Sequence, residues 1–461
     1  MSDLTRSHPI CQWMSNRYLL ATFSIALAVR LINLLLLSGP DAFFSQNDST
    51  MYWSLGAALA HSPSFVAPLL SSTERMPLYP LLLGGVQSLF GDVPAVVTTL
   101  QAVVDSGTCL LIAALGGLYS RQVGLIAGLL AALSANLIIH STQILTESTF
   151  VFFFSAFLYA GARFLRMPDV RLALIAGTAG GLSLMVRPVS AILLVAAVPV
   201  VFFGAILLGR RMVVAFTTTA LFLAGVIVPV APVVLRNVTV YDSWKLMSET
   251  GEHLAFWIVP LVTQRATGAA FEVTAAHMRA RFGDELTERG LTRELNPFVL
   301  DAVKVDLARK TMAELPRIAF AEAWVEGMIV DIAAPAILVD PRVRALPKPD
   351  YYSTPGQSLW SRSQTYLFDS PGLYQGIFVV SVLAALPFLL LQVAGFVMLV
   401  RERPWAAVFA GGTLAYFLMV NGPVATPKYR LPMEPVLIVL TAIALERALN
   451  RGRAMKGSSS P

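Results

Sequence analysis

The placement of arginine and lysine between long apolar runs constrains this chain more than any other feature of its sequence. About ten runs reach the length needed to cross a bilayer: 18–38, 94–118, 124–142, 146–165, 172–186, 189–208, 212–235, 376–400, 405–420 and 431–446. With the N-terminus in the cytoplasm, the cytoplasmic turns and tails hold Arg6, Arg17, Arg121, Arg163, Arg166, Arg171, Arg210, Arg211, Arg401, Arg403, Arg447, Arg451, Arg453 and Lys456. That bias obeys the positive-inside rule and predicts cytoplasmic termini at both ends. Arg75, Arg187, Arg236, Lys428 and Arg430 break it. All five fall at the outer ends of spans, where an anionic compensator is expected.

A chain that is 56% hydrophobic and 13% charged reads as an integral membrane protein and excludes a soluble one. The formal charge of +6 reflects cytoplasmic arginines that meet anionic lipid headgroups, and gives no reason to expect a nucleic-acid partner. Of the two cysteines, Cys11 lies in the predicted cytoplasmic tail and Cys109 inside a span, so neither a disulfide nor a thiolate metal cluster is expected. The first apolar run lacks a small-residue cleavage site and reads as a retained span.

Two segments leave the bilayer on the outer side in this topology, Gly39 to Pro94 and Arg236 to Leu373. Within the first, 48–60 reads as a helix with Asp48 as its N-cap. The run from Met76 to Phe90 is too short to cross and reads as a helix at the outer interface. The second carries charged helical patterns at 274–290 and 298–329, then a Pro- and Tyr-rich stretch over 341–356. The expected organisation is a membrane module over 1–235, a large outer loop over 236–373, and C-terminal spans with a tail over 374–461.

The outer-face residues resemble those of the C-type (GT-C) membrane glycosyltransferases, in the bacterial branch related to protein mannosyltransferases and the lipid A aminoarabinose transferase. The matching segments are QNDSTMYW, ERMPLYPLLLGGVQSLFGD, ILTESTF (144–150), VRPVS (186–190), PVVLRNVTVYDSW (232–244), ETGEHL (249–254) and KYRLPMEPVL (428–437). Each is short, but they follow the family's order on one membrane face. The resemblance implies an all-α GT-C fold and transfer of a sugar from a polyprenyl-phosphate donor to a glycan, lipid or protein acceptor. It places that chemistry on the periplasmic side of a bacterial inner membrane.

Independently, a lipid-phosphate leaving group needs cations at headgroup level, where the five exceptional ones are expected. An inverting transfer also needs a carboxylate to take the acceptor proton. Asp48 matches the family's acidic position and is the candidate base; helix capping is its bland alternative. Relatives often have an acidic pair there, whereas Ser49 follows here. Glu147, at the outer end of a span, reads either as a second catalytic carboxylate that positions acceptor or base, or as a helix-start acid favoured by the dipole.

Arg187, Lys428 and Arg430 are candidate phosphate ligands, with snorkelling anchors as the alternative. Arg75 reads equally as a donor contact or a partner for a loop carboxylate. Arg236 reads as a donor contact or a clamp between the loops. Tyr79 and Tyr429 are assigned to the substrate pocket. The apolar residues of 312–329 form either a packing stripe or a wall for an isoprenoid tail, and Tyr351, Tyr352, Trp360 and Tyr366 either an interfacial belt or a sugar platform. No cofactor or metal site is expected, and divalent-ion assistance is left open. No nucleotide-binding signature is present.

A transporter or flippase of a lipid-linked sugar is the alternative class. It would exploit Arg30, Asn33 and Asp105 within spans, but should show duplicated halves that this sequence lacks. The bland reading of Arg30 and Asp105 is a pair between neighbouring helices.

Overall fold

The computed structural model describes residues 16–349, 354, 359–369 and 371–458. The described residues are helical, with no strand among them. In chain order the principal helices are α1 (Asn16–Leu35), α2 (Gln46–His61), α3 (Leu78–Phe90), α4 (Pro94–Gly117), α5 (Arg121–Ala132), α6 (Ala135–Ser141), α7 (Glu147–Phe164), α8 (Val170–Val186), α9 (Ala191–Leu207) and α10 (Met212–Tyr241). The large loop contributes α11 (Phe271–Glu288), α12 (Pro297–Glu314) and α13 (Arg317–Ala333). The chain then closes with α14 (Leu373–Glu402), α15 (Pro404–Asn421) and α16 (Glu434–Ser458).

The apolar helices make this a multi-pass membrane protein. Among the described residues, six are each long and apolar enough to cross a bilayer, namely α1, α4, α9, α10, α14 and α15. The run expected as one span over 124–142 is broken into α5 and α6, which meet at a bend of 47° and make a seventh crossing if counted together. Helices also stand at the other expected positions, as α7, α8 and α16, with α8 apolar but only 17 residues long. Helix α8 packs closely on α10: a Cβ added at Gly177 would come within 2.1 Å of the Phe222 carbonyl, and one at Gly181 within 2.8 Å of that of Val226. Small residues four apart let two backbones meet where lipid supplies no hydrophobic drive between helices.

Arg30 caps the broken helix. Its Nε donates to Asp105 at 2.5 Å, and its remaining nitrogens reach the carbonyls of Ala26 and Ala132 at 3.0 and 3.1 Å and the Cys109 sulfur at 3.2 Å. Where α5 stops, its last carbonyls lose their helical partners, and this guanidinium, fully buried, caps them. The expected pair between neighbouring helices is therefore formed, and it also closes a helix end.

In the first loop, α2 and α3 lie against each other, and α3 buries Tyr79, Leu83 and Val86 while leaving Leu89 and Phe90 exposed. The pattern expected over 298–329 is two helices, because Pro316 removes the N–H that would continue α12 into α13.

Candidate active site

Three helix ends and two loops bring the candidate residues to one end of the bundle. Ser45, not Asp48, is the N-cap residue of α2. The capping job falls to Ser49, whose buried hydroxyl accepts the Ser45 N–H at 2.8 Å. The position where relatives carry a second acid is thus spent on holding the helix start. Asp48 sits in the first turn with its carboxylate free of the backbone, 3.3 Å from Lys428 Nζ and 3.5 Å from Arg75. It remains 44% exposed, so a substrate can reach it. Burial pushes its carboxyl up, but Lys428 and Arg75 more than offset this and hold it below the usual aspartate value.

Arg75 also ion-pairs with Glu249 and lies 5.8 Å from the centre of the Tyr52 ring. The loop carboxylate expected as a partner for Arg75 is Glu249, and the same guanidinium also faces Asp48. Burial raises the Glu249 carboxyl, partly countered by Arg75. Burial alone would lower the Lys428 ammonium, but neighbouring Tyr429, Glu147 and Asp48 raise it, so the lysine is cationic where it meets Asp48.

Glu147 is the first residue of α7 and Arg187 follows the last residue of α8, so each charge suits the helix end it occupies. Their side chains pair at 2.6 Å, with Glu147 3% exposed. The Arg187 guanidinium lies 6.0 Å from the ring centres of both Phe150 and Tyr429, within cation–π range. Tyr429 thus lines the cluster. Tyr79 lies behind it: fully buried, its hydroxyl donates to Gln101 at 2.6 Å while its ring meets that of Tyr52 edge-on.

Arg236 and Arg430 are engaged elsewhere. Arg236 reaches the carbonyls of Leu69 and, at 2.7 Å, Ser72, tying the first loop to the end of α10. Arg430 pairs with Glu434 at 3.0 Å and donates to the Ile332 carbonyl at 2.6 Å. Two residues that sequence reasoning did not select join the site: Glu249, and Arg344, which donates to Ser45 Oγ at 2.9 Å and the Phe44 carbonyl at 2.6 Å. Glu249 stood within ETGEHL as quoted; nothing in the sequence around Arg344 distinguishes it. Among the described residues no group of three metal-binding side chains converges. Tyr351 and Tyr352 lie outside the described residues; Trp360 is exposed and Tyr366 packs on Tyr374.

Residues 74–235 match the family model for dolichyl-phosphate-mannose-protein mannosyltransferase. Among solved structures, the archaeal oligosaccharyltransferase AglB from Archaeoglobus fulgidus, in complex with an inhibitory peptide and a dolichol-phosphate, matches with 12% identity and a TM-score of 0.52, over 96% of this chain and 52% of that one. ArnT from Cupriavidus metallidurans, bound to undecaprenyl phosphate, matches with 14% identity and a TM-score of 0.38, over 94% of this chain and 79% of that one. The chain spans about half the length of the oligosaccharyltransferase it matches. No curated protein matches it. The fold is that of the GT-C membrane glycosyltransferases. Within that class, residues 74–235 resemble the protein mannosyltransferases.

Proposed function

We propose that this protein transfers a sugar from a polyprenyl-phosphate donor to an acceptor hydroxyl or amine, with inversion, at the end of the bundle that carries Asp48. That end faces the periplasm of a bacterial inner membrane, and both termini are cytoplasmic. The observation that carries the reading is an accessible carboxylate held between two cations, Lys428 and Arg75. A base alone needs no such escort, and a phosphate site alone needs no carboxylate. A transfer from a lipid phosphate needs both within a few ångströms.

The roles follow from the charges. The donor phosphate takes Lys428, Arg75 and Arg187 as ligands, and Tyr429 flanks it. Arg75, Lys428 and Arg187 stand against Asp48, Glu147 and Glu249, so the side-chain charges of the site balance one another. An incoming phosphate competes with Asp48 for its cations, which raises the Asp48 pKa and makes it a better base as the donor binds. The acceptor oxygen or nitrogen attacks the anomeric carbon, its proton passes to Asp48, and the carbon–oxygen bond to phosphate breaks with the electron pair leaving on the phosphate. Glu147 holds Arg187 in register. Arg236 and Arg430 serve as clamps for the loops that carry these groups. The 236–373 loop selects the acceptor.

Arg30 and Asp105, which a transporter would exploit, are already bound to each other and to a helix end. The test is transfer of labelled sugar from a panel of polyprenyl-phosphate donors to lipid, glycan and peptide acceptors by the purified protein in detergent, where transport has no meaning. Failure of every pair, with translocation of the same lipids in vesicles, would overturn the enzyme reading.

A further inference from the structure

Helix α13 ends against the segment that carries Lys428, and the contact is more specific than packing requires. The Trp324 indole N–H donates to the Met419 carbonyl at 3.1 Å. Further along, Gly327 lies so near the Gly422 carbonyl that an added Cβ would sit 2.1 Å from it. Gly422 itself turns the chain with φ at +62°, a conformation glycine adopts without strain. One turn later the Asp331 carboxylate, fully buried, accepts from Asn421 Nδ2 and from the Thr426 backbone N–H, each at 3.2 Å. Its neighbour Ile332 offers a carbonyl to Arg430 at 2.6 Å. Residues 419–430 are thus held along one side, and they deliver Lys428 to within 3.3 Å of Asp48.

A carboxylate is a costly choice for such a hold. Both of its partners are neutral, and a buried charge without a cation is expensive; burial, only partly countered by the bonds from Asn421 and Thr426, leaves the Asp331 carboxyl pushed up to about 7. The charged groups nearby are committed to other partners. On α13, Glu326 pairs with Arg362 and Arg265. In the facing segment Arg430 pairs with Glu434, and Lys428 is drawn to Asp48. What the carboxylate offers is two acceptors on one rigid fork facing two donors. An amide in its place would accept from one and point its own N–H at the other.

We infer that Asp331 is a positioning residue for sugar transfer: by fixing Asn421 and Thr426 it sets Lys428 against Asp48, and so couples the large loop to the carboxylate that takes the acceptor proton. This rests on the roles given above to Asp48 and Lys428. The full-length protein in detergent tests it through a double-mutant cycle of Asp331→Asn and Lys428→Met, read as undecaprenyl phosphate binding and as the pH dependence of transfer. Lys428→Met should move the acid limb of the profile to higher pH, because Asp48 loses a cation that holds its pKa down. Asp331→Asn, with an unchanged melting temperature, should move the limb the same way and weaken lipid binding about tenfold. The double variant should be no worse than Lys428→Met, since residues acting through one link are not additive. Asp331→Glu, which keeps both acceptors, should restore part of the loss. Additive effects, or an unmoved acid limb in folded Asp331→Asn, would overturn the inference. If Asp331→Asn does not fold, Asn421→Ser cuts the same link from the other side and is read against the same expectations. Wild-type protein that neither binds undecaprenyl phosphate nor transfers sugar would sink the functional reading and this inference together, whereas normal wild-type behaviour with an insensitive Asp331→Asn sinks the inference alone.

Discussion

A carboxylate in the first turn of a helix ordinarily needs no explanation beyond the dipole, and what distinguishes Asp48 is the work it does not do. Ser49 secures the helix start, which leaves Asp48 to Lys428 and Arg75. Asp48→Asn keeps the size and the helix but cannot take a proton, so transfer should fall by about 10²–10⁴-fold while undecaprenyl phosphate still binds. Near-normal transfer would move the base elsewhere, with Glu147 next to be tested. Glu147→Gln should act differently: it frees Arg187 from its partner at 2.6 Å and should change donor affinity more than the pH dependence of transfer. Arg75, Arg187 and Lys428 were picked out in the sequence because cations are discouraged at the outer ends of spans, and Asp48 and Glu147 because they stand at acidic positions of the motifs the chain resembles. Their partnerships were not legible. Asp48 meets Lys428 across 380 positions and Arg344 meets Ser45 across 299, separations at which one sequence carries no pairing signal.

Among elements, the apolar pattern located helices well and breaks poorly. It ran through Leu133 and Ser134, where α5 and α6 part, because a bend within an apolar run need not place polar residues at the break; the polar capping group is supplied by Arg30 from another helix. Replacing Arg30 by Met should therefore cost more than a helix pair would suggest, about 3–5 kcal/mol, since Asp105 is left as a buried unpaired charge and the carbonyl of Ala132 loses its donor. Thermal unfolding in detergent measures it, and adding Asp105→Leu should recover part of the loss. The Arg236 clamp makes a second, local prediction. Arg236→Ala frees the carbonyls of Leu69 and Ser72, so limited proteolysis should cut between Ser62 and Thr73 faster than in the wild type, with little change in global melting.

For the whole molecule, the charge rule and the structure divide the bundle alike. The Asp48 cluster marks one end. At the other, Arg166 and Arg403 both donate to the Leu118 carbonyl beyond the end of α4, and Glu402 pairs with Arg447. Orientation is testable in a background with both native cysteines replaced. Cysteines at Ser64 and Gly283 should react with an impermeant thiol reagent applied from outside, and one at Gln122 should not; the reverse pattern would put the Asp48 cluster in the cytoplasm. The Arg30 staple also has a consequence for biogenesis. Helix α1 leaves the ribosome before α4 and α5, carrying a guanidinium whose partners, Asp105 and the carbonyl of Ala132, have not yet been made. Inserted alone it bears a penalty of about 2.5–3.5 kcal/mol for arginine at the centre of a helix, which its apolar neighbours must outweigh until α4 and α5 arrive. Until then α1 is poised between leaflet and core, and the order of synthesis decides when it becomes committed to the membrane.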